Sequence, residues 1–177
     1  NEFKGFQLLR HNAIQNDVKH MAQHGNIKAM DTGLSGLIEV DGRQGDLLLS
    51  GCGRHNKDLM LDFFISHPCN NSYILQASSV ESYALSLVED RKITKYAAAY
   101  RRVGIDFIPV GFEIFGAKSE VFSKLFKKLA EAASDVNGIP YSVMFSYWQR
   151  RMSTTLQRYN AKVFNLAQLK ISKAGGS

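Results

Sequence analysis

A mixed α/β domain, with a central mixed sheet flanked by helices, is the fold class that the 177-residue sequence predicts. Three observations predict it. Four segments carry residues at helical spacing or of helical composition. Two apolar runs, 46–50 and 58–66, are too short for helices of the core and are bounded by turn residues. Their order along the chain is helix, hairpin-linked strands, helix, strand, then two helices, which is the alternation of an α/β domain.

The first helix spans Leu9 to His24: Ile14, Val18 and Met21 repeat at i, i+4 and i+7, and Gly25 supplies the stop. Short strands are expected around Ile27 to Met30 and Gly36 to Val40, with Asp41-Gly42 as a hairpin signal. Asp46-Leu-Leu-Leu-Ser follows, closed by a turn at Gly51-Cys-Gly-Arg-His-Asn. The run from Asp58 to Ser66 is apolar without alternation, so it is read as a central strand covered on both faces, ended by Pro68. Residues 79–101 are helical by composition and period. Phe107 to Phe115 is a strand that Pro109 confines to an edge or a bulge. Glu120 to Ala133 is an amphipathic helix, and Tyr141 to Leu169 a long basic one. Residues 1–170 are read as one domain, and 171–177 as a frayed tail or a cloning remnant.

No apolar run approaches the roughly 18 residues of a membrane span. The start, NEFKGFQLLRHN, lacks both a signal peptide and an initiator Met, so an intracellular piece of a longer polypeptide is expected. Cys52 and Cys69 have neither the number nor the spacing of a zinc site or a disulfide framework. The charge is placed unevenly. Asp135 is the last acidic residue; beyond it stand Arg150, Arg151, Arg158, Lys162, Lys170 and Lys173, which leaves 16 basic against 16 acidic side chains before it. The whole excess of +6 lies in the C-terminal quarter, as a polyanion-facing surface requires. Arg150, Arg151 and Arg158, interleaved with Tyr147, Trp148 and Tyr159, suit phosphate contact and stacking; a packed helix with one basic face is the alternative. On the phosphate reading their removal weakens binding and leaves stability unmoved.

Two acids interrupt apolar strands: Asp46 opens one and Asp62 lies inside another. If the strands pair, the carboxylates converge, and their repulsion and desolvation call for a cation. Mg²⁺ is the natural one, with Mn²⁺ as a substitute. An Asp capping a turn and another on an exposed face would be the plainer account. Lys92 argues against that account: it shares the stripe of Leu85, Val88 and Tyr96, within about 20° of Leu85, with Glu89 near its edge and Lys95 off to one side. A lysine aimed at the sheet needs an acidic partner or a route to water.

GDLLL, then LDFFISHP, then a helix with EDRKITKYA, then GIDFIPVGFEIFG resembles the PD-(D/E)XK nuclease pattern. It is most similar to the endonuclease-like domains of retroelement reverse-transcriptase polyproteins, over roughly residues 10–165, from Arg10-His11-Asn12 to Trp148-Gln149-Arg150. The resemblance implies a restriction-endonuclease-like fold with a basic C-terminal helical segment, and Mg²⁺-dependent hydrolysis or nicking of DNA in the nucleus. It carries over Asp46 and Asp62 as metal ligands and Lys92 as the catalytic lysine, with Lys95 as its runner-up. Two positions depart from the pattern: Gln44-Gly45 stands where a Pro precedes the first acid, and Phe64 where a lysine follows the second. Glu89, Glu113 and His11 are further candidates for catalytic or supporting roles, each with a structural alternative, and Arg54 and His67 are candidates for DNA contact. A homodimer is compatible with the sequence. An inactive nucleic-acid-binding module of the same fold, or an assembly domain of a larger protein, are the rival readings.

Overall fold

The computed structural model describes residues 2–32 and 45–174. The expected strand at 36–40 and the Asp41-Gly42 turn lie outside the described residues. The elements are α1 (Glu2–His24), β1 (Ala29–Asp31), β2 (Leu47–Leu49), β3 (Leu59–Ser66), α2 (Ile74–Ala77), α3 (Tyr83–Arg102), β4 (Asp106–Glu113), α4 (Glu120–Asn137) and α5 (Tyr141–Ala174). The strands form one mixed sheet in the order β1-β2-β3-β4. β1, β2 and β3 pair antiparallel, while β3 and β4 are parallel and joined through α3.

Register decides what each face buries. Leu47, Leu49, Leu59, Leu61, Phe63, Val110 and Phe112 point to one side, where α1, α4 and α5 supply Ile14, Val18, Met21, Phe122, Phe126, Leu129, Trp148, Met152 and Leu156. Leu48 and Met60 point to the other, against Tyr96 and Tyr100 of α3 and the partly buried Phe107. Two covered faces explain why β3 is continuously apolar, and its place between β2 and β4 is the central one expected. Pro109, which lacks an amide hydrogen, lies in the edge strand β4, as expected. Gly111 of β4 leaves room for the Phe64 ring of β3 and the Leu85 side chain of α3: a Cβ there would stand 2.4 Å from the first and 3.1 Å from the second.

The ends of α1, α4 and α5 move outward from the sequence expectations, whereas α3 begins only at Tyr83 and β4 ends at Glu113. α1 begins at Glu2 rather than Leu9, since its apolar stripe starts only at Ile14 while nothing breaks the helix earlier. α5 runs to Ala174, so residues 171–174 continue the helix, where a frayed tail was expected. α4 runs to Asn137, capped by the Ser119 hydroxyl at its start and by Gly138 at φ 63° at its end. Among the described residues no helix is long and apolar enough to cross a membrane.

Candidate functional site

The site forms where β2 stops and β3 continues. β2 covers β3 only as far as Leu61. Just before β2 the ladder shifts: the Asp46 amide donates to the Leu61 carbonyl at 2.8 Å, which holds Asp46 against β3 next to Asp62. The two carboxylates act on each other, Asp46 raising the Asp62 carboxyl. Asp46 also takes over the ladder where β2 ends: the Phe63 amide, which would otherwise lack a strand partner, donates to Asp46 Oδ2 at 2.6 Å. The same oxygen lies 3.0 Å from His11 Nε2 of α1, and the His11 ring meets Phe63 edge-on at 6.0 Å.

From the other face α3 delivers Lys92, whose Nζ stands 2.5 Å from Asp62 Oδ2. The ammonium also lies 5.8 Å over the ring of Phe64, the residue standing where the nuclease pattern has its lysine. The stripe that aims Lys92 inward is made of Leu85, Glu89, Tyr96 and Tyr100; Glu89 lies within it rather than at its edge, and Val88 is only half-buried. Lys95 is exposed and its ammonium lies over the Tyr96 ring at 5.1 Å.

The backbone before Asp46 is held without a proline. The Gly45 amide donates to the Tyr100 hydroxyl at 2.8 Å, and its carbonyl accepts from the Thr32 hydroxyl. A Cβ on Gly45 would stand 2.5 Å from the Met60 side chain, so the close approach needs glycine. Gln15 donates to the Asp46 carbonyl at 2.9 Å and to Asp31 at 3.2 Å, and Lys19 pairs with Asp31. Gln15, Lys19, Asp31 and Tyr100 are thus part of the surroundings that the sequence reading missed. The legible signal was the i, i+4, i+8 spacing of His11, Gln15 and Lys19, which puts all three on one side of α1. A cleft of about 410 Å³ opens there, with Asp31, Gln15 and Asp46 in its wall.

The electrostatics are those of crowded acids. Burial pushes the Asp62 carboxyl up, Lys92 pulls it back, and Asp46 pushes it up again, for a net rise. Burial pulls the His11 imidazole down, but its hydrogen bond to Asp46 and the charges of Asp46 and Asp62 outweigh this and raise it overall. Among the described residues no three His, Cys, Asp or Glu side chains gather into a metal cage. Magnesium does not require one, since it is held by one or two carboxylates with water and substrate oxygens completing the shell. Asp46 raises the Asp62 carboxyl, a repulsion that a cation between the two acids would relieve.

The remaining candidates fall elsewhere. Glu89 is buried against Ser119, the N-terminal cap of α4. Glu113 pairs in register with Ser66, four residues beyond Asp62, so it sits roughly 13 Å further along the sheet. Arg54 and His67 precede and follow β3, which puts them at its opposite ends; Arg54 is tied to Asp106. Arg150 and Arg158 are exposed. Arg151 is committed elsewhere: its Nε donates to the buried Asp17 at 2.7 Å and its guanidinium stacks on Trp148 at 5.3 Å. Removing all three arginines would therefore disturb the α1–α5 contact, and the expectation of an unmoved stability is corrected on that ground. Set against known proteins, the sequence matches no family model and no curated protein.

Proposed function

We propose that the chain is a Mg²⁺-dependent DNA endonuclease domain of the restriction-endonuclease-like type. The observation that carries the reading is the convergence of Asp46, Asp62 and Lys92 from three separate elements onto one point, with Lys92 Nζ 2.5 Å from Asp62. Asp46 and Asp62 would hold the ion, which supplies charge neutralisation at a phosphate and a more acidic water. Lys92 carries three donors on a flexible stem. With an ion held by the two acids, Lys92 would orient the attacking water or stabilise the charge that builds on the phosphate oxygens. His11 and the Phe63 amide fix the orientation of Asp46 by two hydrogen bonds to Oδ2. Retroelement nicking of a nuclear target is the setting that the resemblance suggests.

A second reading draws on the same contacts. Lys92 already neutralises Asp62, so the cluster is also consistent with a closed structural ion pair in an inactive nucleic-acid-binding module. Conversion of supercoiled plasmid to nicked or linear forms, followed with Mg²⁺, Mn²⁺ and EDTA, separates the two. The nuclease reading requires metal-dependent nicking that Asp62→Asn and Lys92→Ala both abolish. Plasmid binding without nicking in either metal would establish the inactive module instead.

A further inference from the structure

A second pocket, of about 350 Å³, lies between α1, α5 and the chain that follows β4, with Arg10, His67, Phe115, Asn160 and Phe164 in its wall. Arg10 is the unusual member. Its side chain is 9% exposed, its Nε has no hydrogen-bond partner, and only Nη1 is engaged, donating to Asn160 Oδ1 at 2.7 Å. No carboxylate faces it among the described residues, and burial alone lowers its pKa. A guanidinium taken out of water without a counter-ion costs stability, and an anionic ligand is what would offset that cost.

The rest of the wall narrows the choice of anion. His67 Nδ1 accepts the Cys69 amide at 3.2 Å, which leaves Nε2 as the N–H of the neutral ring and a second donor. Asn160 is held in place by donating to the Ile114 carbonyl at 2.6 Å. Beside these donors two aromatic rings stand largely in water, Phe115 at 68% and Phe164 at 62% exposed. Exposed rings next to a buried cation fit a ligand with a phosphate and a flat apolar face. We propose that this pocket binds one nucleotide of single-stranded nucleic acid, its phosphate on Arg10 and His67 and its unstacked base on Phe164 or Phe115.

The placement deepens the nuclease reading, on which it rests for the identity of the strand. Arg10 is the chain neighbour of His11, and His67 follows Asp62 by five residues, roughly 16 Å of extended strand. A single strand leaving the acidic cluster along β3 would pass this pocket. A duplex keeps its bases stacked and has none to offer the two phenylalanines.

The test is equilibrium binding of a fluorescent single-stranded oligonucleotide of about 12 nucleotides in EDTA, against salt, with a duplex of the same sequence as control. Working without metal separates this result from the cleavage assay: a protein that does not nick can still bind. Arg10→Met should weaken single-strand binding about tenfold, lower the salt slope by about 0.7 because one phosphate is no longer neutralised, and affect duplex much less. Its melting temperature should hold or rise, since an unpaired buried charge is removed. Phe164→Ala, at an exposed position, should weaken single-strand binding without changing the slope. Unaltered single-strand affinity in Arg10→Met would overturn the proposal. If Arg10→Met melts early, Arg10 holds α1 to α5, and unaltered binding by Phe164→Ala then overturns it as well. A free nucleoside monophosphate competing as well as the oligonucleotide would reassign the pocket to a soluble nucleotide.

Discussion

Two of the ion pairs that bridge separate elements, Arg151–Asp17 and Lys92–Asp62, differ in how completely each is satisfied. Asp17 of α1 is buried, and both its oxygens are used: Oδ1 accepts Arg151 Nε at 2.7 Å and Oδ2 accepts the Thr155 hydroxyl at 2.6 Å. Arg151 is fixed further by Tyr147 and by the face of Trp148. Asp62 has Lys92 on one oxygen and a second carboxylate, Asp46, beside it. The first pair closes on itself and holds α5 to α1. In the second, Lys92 serves Asp62 while His11 and the Phe63 amide serve Asp46, and the Asp62 carboxyl still lies above its ordinary value because burial and Asp46 outweigh Lys92. On the proposed function the satisfied pair is architecture and the crowded one is the site.

That contrast is open to attack by mutation. The largest expected effect is catalytic: Lys92→Ala should lower metal-dependent nicking at least about a hundredfold, with little change in melting temperature. A large fall in stability with no nicking to lose would put Lys92 in the same class as Arg151. Next comes Arg151→Ala, which strands the buried Asp17 carboxylate and should cost about 2–3 kcal/mol, or roughly 5–10 °C in Tm for a chain of this size. Arg158→Ala, at an exposed position, should stay within about 0.5 kcal/mol. Equal losses in the two variants would mean that the Asp17 pair contributes nothing special.

Smaller effects sharpen the comparison. Glu89 is buried with Oε1 unpartnered, and burial raises its carboxyl above the ordinary value although Ser119 donates to it. Glu89→Gln removes a charge held in a poor environment and should stabilise by something on the order of 1 kcal/mol at neutral pH; a clear loss on melting would mean the carboxylate is needed. The smallest effect concerns His11, whose pKa is raised on balance by Asp46. A raised histidine contributes stability that is fully present below its unfolded value near 6.5 and is lost as pH rises through the folded one. The stability advantage of the metal-free protein over His11→Gln should therefore shrink between about pH 6 and pH 8. An advantage that grows over this range would mean that the protonated ring is not the stabilising form.

The helical phase of 79–101 placed Lys92 toward the sheet because the apolar residues around it share one stripe, and a stripe is a property of spacing alone. Asp46 and Asp62 were legible as acids that interrupt apolar strands. Their meeting needed β2 to pair with β3 in one register, and a slip of one residue would have sent Asp62 to the opposite face. Glu113 illustrates the limit: it lies in an apolar strand as Asp62 does, but the parallel register of β4 carries it four residues past the site.

The sequence by itself determined the order of the long helices and the strands, the inward faces of α1 and α3, the central place of β3 and the edge place of β4. These follow from periodicity, from continuous apolar runs and from a proline that cannot donate to a ladder. It did not determine the inward face of α5, where Trp148 reads as a stacking residue but lies in the core. Only the tertiary structure decided which charges meet. The two arginines at 150 and 151 look alike in the sequence and both are exposed, yet Arg151 is bound to an aspartate 134 residues earlier while Arg150 donates to the Ser146 carbonyl of its own helix. Likewise Arg10 reads as an ordinary basic residue beside the first helical stripe, until the packing of α1 on α5 buries it with no acid facing it among the described residues. A charge interacts through space and with the solvent it loses, and neither distance nor solvent is written in the local order of residues.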